Sequence, residues 1–366
     1  MSSRIRVLVV DDSALMRKLI PQILERDESI EVVGTAMDGN FGLKKIQDLK
    51  PQVVTLDLEM PGMHGLDTLK AIMRHHKVPV IVVSSHSTSG ASATVKALAL
   101  GAFDFVAKPK DVSANMPDIA AELIGKIKTA AQIKGVRVQP MAGSPRKTAK
   151  PATDLSRPAS RVVGIGISTG GPNALQYVLS QLPPDFPGSI VIVQHMPANF
   201  TEMFAKRLDE CCSINVKEAA SGDLLLPGRA LVCPGDRHIR IKKLPMGEVA
   251  VLSDEARVNG HRPSVDVMFR SLADEIGVRA IGVLMTGMGE DGASGLGVVR
   301  AAGGMTIAQG EDSCVVYGMP KAAIERGYAV RVVPLEALAN TLLAQCGVRG
   351  AAGDDEPGKA ARAGTV

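Results

Sequence analysis

A chain of 366 residues with 45% hydrophobic side chains has room for about two domains, each with its own core, and needs no disulfide or metal staple to fold. Its formal charge of +4 is partly carried by one basic segment and implies no nucleic-acid partner; with no tryptophan and 3% aromatics, it also lacks platforms on which bases stack. Cys211, Cys212, Cys233, Cys314 and Cys346 show neither zinc-site spacing nor a Cys-x-x-Cys redox pattern, which points to thiols of a reducing cytoplasm.

Met1-Ser2-Ser3-Arg4 leads into a short apolar stretch that stops at Asp11-Asp12, without the apolar core or cleavage site of a secretory signal. Apolar runs elsewhere have strand length, so no membrane insertion is expected. Ile5 to Val10 reads as a parallel strand covered on both faces. A helix comes next with Ser13 as its cap and Leu15, Leu19, Ile23 and Leu24 on one face; Pro21 inside it should kink or split it. Then come a strand near Glu31 to Thr35, a helix near Gly39 to Leu49, and a strand Val53 to Leu56 that ends at Asp57. After Met60-Pro61-Gly62-Met63-His64-Gly65, a helix leads to a strand Val80 to Val83 ending at Ser84-Ser85. A helix from about Ser92 to Leu100 precedes a fifth strand, Phe103 to Ala107, which ends at Lys108-Pro109.

This alternation predicts an α/β fold, a doubly wound parallel sheet whose functional residues gather at the carboxyl ends of its strands. Asp11, Asp12, Asp57, Ser84 and Lys108 all fall there. Three carboxylates pressed together repel one another, so the cluster calls for raised pKa values or a bound cation, with oxygen-seeking Mg²⁺ the natural partner. Lys108 supplies a compact positive charge for an incoming phosphoryl group, and Asp57 is suited to accept it. Singly, each residue reads as a strand-end cap or a solvated charge. In this order, residues 4 to 130 resemble the receiver domain of two-component response regulators. The resemblance implies a flavodoxin-like fold, phosphorylation of Asp57 by a histidine kinase, and Mg²⁺ held by Asp12, Asp57 and the main-chain carbonyl of Glu59, with Asp11 in the acidic pair. It also implies a switch through Ser84, Phe105 and Lys108. Phe105 stands where many receivers have tyrosine, so the ring can move but carries no hydroxyl.

From about 133 to 160 the pattern dissolves into Gly, Pro, Ser, Ala and Thr with Arg137, Arg146, Lys147, Lys150 and Arg157, the composition of a solvated, flexible linker. No internal repeat is visible. Val162 to Ile167 then reads as a strand, leading into Ser168-Thr169-Gly170-Gly171-Pro172 and a helical pattern through Leu175, Val178, Leu179 and Leu182. Pro172 suits a first helical turn, and the glycines let backbone crowd whatever binds above it. Ser189 to Gln194 is a second strand, ending at His195, and a helix runs through Phe200, Phe204 and Leu208. Short β-like runs at Ala230 to Cys233, Ile239 to Ile241 and Val249 to Leu252 point to an antiparallel insertion. A helix from Ser264 to Ile276 and a strand Ala280 to Met285 lead into Thr286-Gly287-Met288-Gly289-Glu290-Asp291-Gly292. A helix, a strand near Met305 to Ala308, a short helix and a strand near Tyr328 to Val333 complete this region; from Gly350 the residues are small and polar, the composition of a disordered tail.

Ser168, His195 and Asp291 each come just after an expected parallel strand, and nucleophilic chemistry needs such a hydroxyl, base and carboxylate together. Taken singly, Ser168 reads as a helix cap, His195 as an interior histidine and Asp291 as a turn residue; His238 and His261 are weaker candidates, because neither ends an apolar strand. Gly164-x-Gly166 with Gly170 fails as a dinucleotide fingerprint, since the third glycine is one place late and the next strand ends at Gln194-His195 rather than at an acid. Gly166-x-Ser168-x-Gly170 matches a hydrolase elbow, yet there the acid precedes the histidine, and here the order is Ser, His, Asp.

Gly166 to Pro172, Gln194-His195-Met196, Cys233 to Asp236, His261 to Asp266 and Met285 to Gly292 resemble the chemotaxis protein-glutamate methylesterase family. That resemblance implies a receiver over 1–132, a linker over 133–160, a Rossmann-like catalytic domain with a small antiparallel insertion over 161–349, and a tail over 350–366. It implies Ser168 as nucleophile, His195 as general base and Asp291 as the residue orienting it, with oxyanion donors from the Met288 N–H and groups around His195. The expected substrate is a methylated glutamate on a cytoplasmic chemoreceptor helix, with glutamine deamidation as a second activity and no cofactor in the catalytic domain. A DNA-binding output would require a basic helix-turn-helix, which the second half does not offer, and an unregulated esterase would leave the acidic cluster unexplained.

Overall fold

The computed structural model describes residues 4–60, 63–108, 116–132 and 158–347. Most of the expected linker, the tail beyond 350, Pro109 and the Pro61-Gly62 pair lie outside the described residues.

The first unit runs β1 (Ile5–Val10), α1 (Ala14–Leu24), β2 (Ile30–Ala36), α2 (Gly39–Leu49), β3 (Val53–Leu56), α3 (Gly65–His75), β4 (Val80–Ser84), α4 (Thr88–Ala99), β5 (Asp104–Ala107) and α5 (Met116–Gln132). Its parallel sheet has the order β2-β1-β3-β4-β5, with the doubly wound switch between β1 and β3. Strands β3, β4 and β5 are buried at every position, as continuous apolar runs flanked by helices on both faces must be. Two expectations change here. Pro21 does not split α1: it removes one N–H, while Ile20, Ile23 and Leu24 still bury the helix face that holds it to the sheet. Helix α4 begins four residues earlier than its apolar pattern indicates, because the Ser87 side chain accepts the Gly90 N–H at 2.9 Å and caps a polar first turn.

The second unit continues with β6 (Val162–Ile167), α6 (Gly171–Leu179), β7 (Ser189–Gln194), α7 (Phe200–Cys211), β8 (Asn215–Glu218), β9 (Arg229–Val232), β10 (His238–Leu244) and β11 (Gly247–Ser253). It closes with α8 (Val265–Ile276), β12 (Ala280–Leu284), α9 (Ala293–Ala301), β13 (Met305–Gln309), α10 (Met319–Glu325), β14 (Arg331–Val333) and α11 (Leu335–Cys346). Seven parallel strands form one sheet, ordered β14-β13-β12-β6-β7-β9-β8. The antiparallel insertion is therefore smaller than expected: among the described residues it is the two-stranded sheet of β10 and β11, whereas Ala230 to Val232 pairs parallel with β7 in the main sheet. The sheet's centre, β12-β6-β7, is buried throughout and carries the three loops that matter. Among the described residues no helix is long and apolar enough to cross a membrane.

Candidate active site

Register brings the three loops together. Ile167 pairs with Gln194 and Gly166 with Leu284, so the residues just beyond them share one edge of the sheet. The Ser168 N–H donates to Thr286 O (3.0 Å), and the His195 N–H donates to Ile167 O (3.1 Å). Gly170, at φ +77, turns the chain into α6, with Pro172 in its first turn. The Gln194 amide fastens this edge by donating to Ser168 O (3.0 Å) and His195 O (3.3 Å). On the other side, a Cβ on Gly287 would lie 2.7 Å from the Ser168 Cβ, so only glycine allows this approach. Gly287 is itself pinned, its N–H donating to Val316 O and its carbonyl accepting from the Gly318 and Met319 N–H groups, which sets the place of Met288.

His195 and Asp291 meet at this edge: His195 Nε2 lies 2.9 Å from Asp291 Oδ2. Asp291 is 2% exposed and accepts further hydrogen bonds from Ser264 Oγ (2.7 Å), the Val265 N–H (2.7 Å) and Asn259 Nδ2 (3.0 Å). Burial works to raise its pKa, but the His195 contact, Ser264 and Val265 outweigh it and hold the carboxyl far below the usual carboxylate range. Asp291 is thus a fixed anion at the end of the imidazole. The other ring nitrogen, His195 Nδ1, is buried and has no hydrogen-bond partner among the described residues, so it is not bonded to Ser168 Oγ.

The first sheet gathers its own set. Asp11, Asp12 and Asp57 each present an oxygen within 4.8 Å of the others, Asp11 and Asp57 being buried and Asp12 exposed. Lys108 Nζ sits 2.6 Å from Asp57 Oδ2 and 3.0 Å from Asp11 Oδ2. Burial raises the Asp57 pKa against the lowering effect of Lys108, and Asp11 adds to the rise. Lys108 is raised in turn: burial opposes its charge, but the two carboxylates prevail. Three carboxylates facing one ammonium leave negative charge in excess, a donor set that fits a hard divalent cation. The Ser84 hydroxyl is buried and donates to Gly90 O (3.2 Å). The Glu59 side chain turns away from the cluster to accept from the hydroxyls of Ser85, Ser89 and Ser87, which draw its pKa down.

The two units touch. Phe105 stacks on Phe200 of α7 at 4.7 Å between ring centroids, His86 meets the same ring edge-on at 6.2 Å, and Asn199 Nδ2 donates to His86 O (3.4 Å). On α5, Thr129 Oγ1 donates to Met288 Sδ (3.6 Å), and Met288 Cε lies 3.0 Å from where a Cβ on Gly125 would stand. Sequence reading gave no role to Phe200, Asn259, Ser264 or Gln194. Phe200 looks like any apolar helix residue and Gln194 like a strand terminus, but Asn259-Gly260 is a strong tight-turn signal and marks where a side chain is presented.

A family model for the CheB methylesterase matches residues 163–342, and one for the response regulator receiver domain matches residues 7–117. A protein-glutamate methylesterase/protein-glutamine glutaminase of Koribacter versatilis is 60% identical over 348 residues, covering 93% of this chain and 96% of that protein. One from Symbiobacterium thermophilum is 46% identical over 350 residues, covering 92% and 96%. The crystal structure of the Thermotoga maritima CheB methylesterase catalytic domain is similar with a TM-score of 0.50 and 40% identity, over 50% of this chain and 97% of that one.

Proposed function

This chain belongs to the CheB methylesterase family, joined to a response-regulator receiver, and from that premise we propose that it hydrolyses methyl esters of glutamate side chains on chemoreceptors under phosphorylation control. The observation that carries the reading is the His195–Asp291 pair, 2.9 Å apart at the sheet edge beside Ser168, with one imidazole nitrogen committed to the carboxylate and the other unpartnered. In the proposed sequence, His195 Nδ1 takes the proton of Ser168 Oγ as the hydroxyl attacks the ester carbonyl. The imidazolium formed is stabilised by the Asp291 anion and returns the proton to the departing methoxide. Water, activated by the same nitrogen, then attacks the acyl-serine and releases the glutamate carboxylate. The Met288 N–H donates to the oxyanion in both tetrahedral intermediates. A glutamine amide has the same geometry with ammonia as leaving group, so deamidation is the second activity.

In the receiver, Asp57 accepts the phosphoryl group from a histidine kinase, with Lys108 pairing its new charge and Ser84 and Phe105 responding to it. Mg²⁺ held by Asp11, Asp12, Asp57 and the Glu59 carbonyl would neutralise phosphoryl charge there; the tight carboxylate grouping supports this donor set. Without phosphate, α5 and the β4–α4 loop cover the catalytic edge, a reading supported by the contacts of Thr129 with Met288 and of Phe105 and His86 with Phe200. Phosphorylation shifts the population toward a form in which they part. The enzyme works in the cytoplasm on receptor helices and needs no cofactor in its catalytic domain.

The test is methanol release from methylated receptor membranes, with and without a small phosphodonor. The intact chain should release methanol faster with the donor. Ser168→Ala should release none while Asp57 is still phosphorylated. Turnover near that of the intact chain in Ser168→Ala would refute the mechanism.

A further inference from the structure

The stretch between β11 and α8 does more than connect them. Val258 and His261 exchange both backbone hydrogen bonds, Val258 N–H to His261 O at 3.0 Å and His261 N–H to Val258 O at 2.9 Å. Between them, Asn259 has φ +53 and Gly260 φ +78, the two left-handed residues of a type I′ turn, for which Asn-Gly is the favoured pair. The side chains flanking this turn reach the two members of the catalytic pair. Asn259 Nδ2 donates to Asp291 Oδ1 (3.0 Å) and to Asp266 Oδ2 (2.9 Å), bridging two buried carboxylates. The His261 ring lies flat on the His195 ring, with centroids 3.9 Å apart and planes 5° from parallel.

We propose that the 258–261 turn is a clip that positions the acid–base pair, Asn259 fixing the Asp291 carboxylate from one end while the stacked His261 ring fixes the plane of His195. The inference rests on the Ser-His-Asp reading of the catalytic edge and adds two positioning residues to it.

The chemistry favours this arrangement. An imidazole bonded to a carboxylate through one nitrogen is still free to swing about that bond, and a ring that swings points its second nitrogen away from the nucleophile. A parallel ring at van der Waals distance removes that freedom. The same face receives the imidazolium that forms during proton transfer, and a neutral partner stabilises it through its π cloud where a second cation would repel it. His261 is kept neutral: burial, followed by the neighbouring His195, pushes its pKa down to about 4. The charged and titratable groups facing the stack are Asp291, Arg257 at the start of the turn, and Glu122 of α5. At the other end, Asp266 is itself tied to the Gly295 N–H (2.6 Å), so the Asn259 amide cannot turn without leaving a buried carboxylate oxygen short of a donor.

The test uses the full chain with a small phosphodonor and methylated receptor membranes, and three variants. Asn259→Gly keeps the positive φ and removes the amide; His261→Ala removes the stack; His261→Phe keeps a flat ring in its place. Both Asn259→Gly and His261→Ala should lower kcat by about 10- to 100-fold, the scale for a misaligned reacting group, with KM changed by less than about twofold. His261→Phe should recover most of kcat. Loss of methanol release in Ser168→Ala combined with unaltered kcat in Asn259→Gly and His261→Ala would overturn the clip alone. A fall in kcat that merely tracks the fraction of folded enzyme, with no recovery by His261→Phe, would overturn it as well. Methanol release that persists in Ser168→Ala would overturn the triad reading and the clip with it.

Discussion

Replacing Phe200 by leucine tests how the receiver restrains the catalytic unit. Phe200 is the first residue of α7 and fully buried, and leucine fills most of its place in the core while removing the ring that meets the receiver. Two aromatic contacts are lost, the stack on Phe105 at 4.7 Å and the edge contact with His86 at 6.2 Å. Such pairs contribute about 0.5–1.5 kcal/mol each beyond the area they bury, so the covered form loses about 1–3 kcal/mol relative to the open one. At about 1.4 kcal/mol per factor of ten, the open population grows about 5- to 150-fold wherever the covered form dominates. The unphosphorylated variant should therefore release methanol from methylated receptor membranes about 5- to 150-fold faster than the intact chain. Stimulation by a phosphodonor should shrink by the same factor, because both enzymes approach the same open form. A basal rate unchanged in a variant with normal unfolding behaviour would refute the reasoning and remove Phe200 from the restraint.

Gly171→Ala puts a Cβ 2.1 Å from Gln194 Oε1 and 2.9 Å from Ile167 Cγ1, displacing the amide that holds the Ser168 and His195 carbonyls. It should lower stability by about 1–3 kcal/mol and reduce kcat more than KM, read from urea unfolding and methanol release, and an unaffected kcat would refute the fastening role of Gln194. His261 gives a pH dependence of known sign. Its folded pKa of about 4 lies below the ordinary histidine value of 6.5, so between these values the unfolded chain binds the proton more readily and stability falls as pH drops from 6.5 toward 4. His261→Phe should flatten that fall, checked by urea midpoints at several pH values through this window; an equally steep fall would assign it to other groups.

Much of the fold was legible in the chain because parallel strands announce themselves. Continuous runs such as Val162 to Ile167 and Ser189 to Gln194 can only be buried on both faces, and the residue after each run has to stand at the sheet's functional edge. That rule puts Ser168, His195 and the carboxylates Asp11 and Asp57 at those edges, and the resemblance to known families supplies their expected roles. Strand β9 did not, since four residues between Pro- and Gly-containing segments carry no sign of parallel or antiparallel pairing; its partner is decided by β7 at long range. Helix α4 was cut short for a similar reason: its first turn is Thr88-Ser89-Gly90, with no apolar period, and only the Ser87 cap and the Glu59 contacts reveal it. Contacts between the units were hidden too, because Phe200 and Met288 have the ordinary apolar character of core residues and nothing local says that some of their neighbours stand in the other unit.

The placement of α5 joins the proposed switch residue Phe105 to the proposed catalytic edge. Thr129 and Gly125 contact the side chain of Met288, the residue whose N–H is proposed as oxyanion donor, and Glu122 from the same helix adds its charge to the field at His261. A single receiver helix thus adjoins both the oxyanion side of the site and the ring stacked on its base. Lys126, on that helix, donates to Phe105 O (2.6 Å) and pairs with Asp104 (3.2 Å), so α5 is fastened directly to the strand that bears Phe105, the proposed switch. Movement of Phe105 and movement of α5 are therefore mechanically linked, and the two contact patches on the catalytic unit, at Phe200 and at Met288, should open together rather than one after the other.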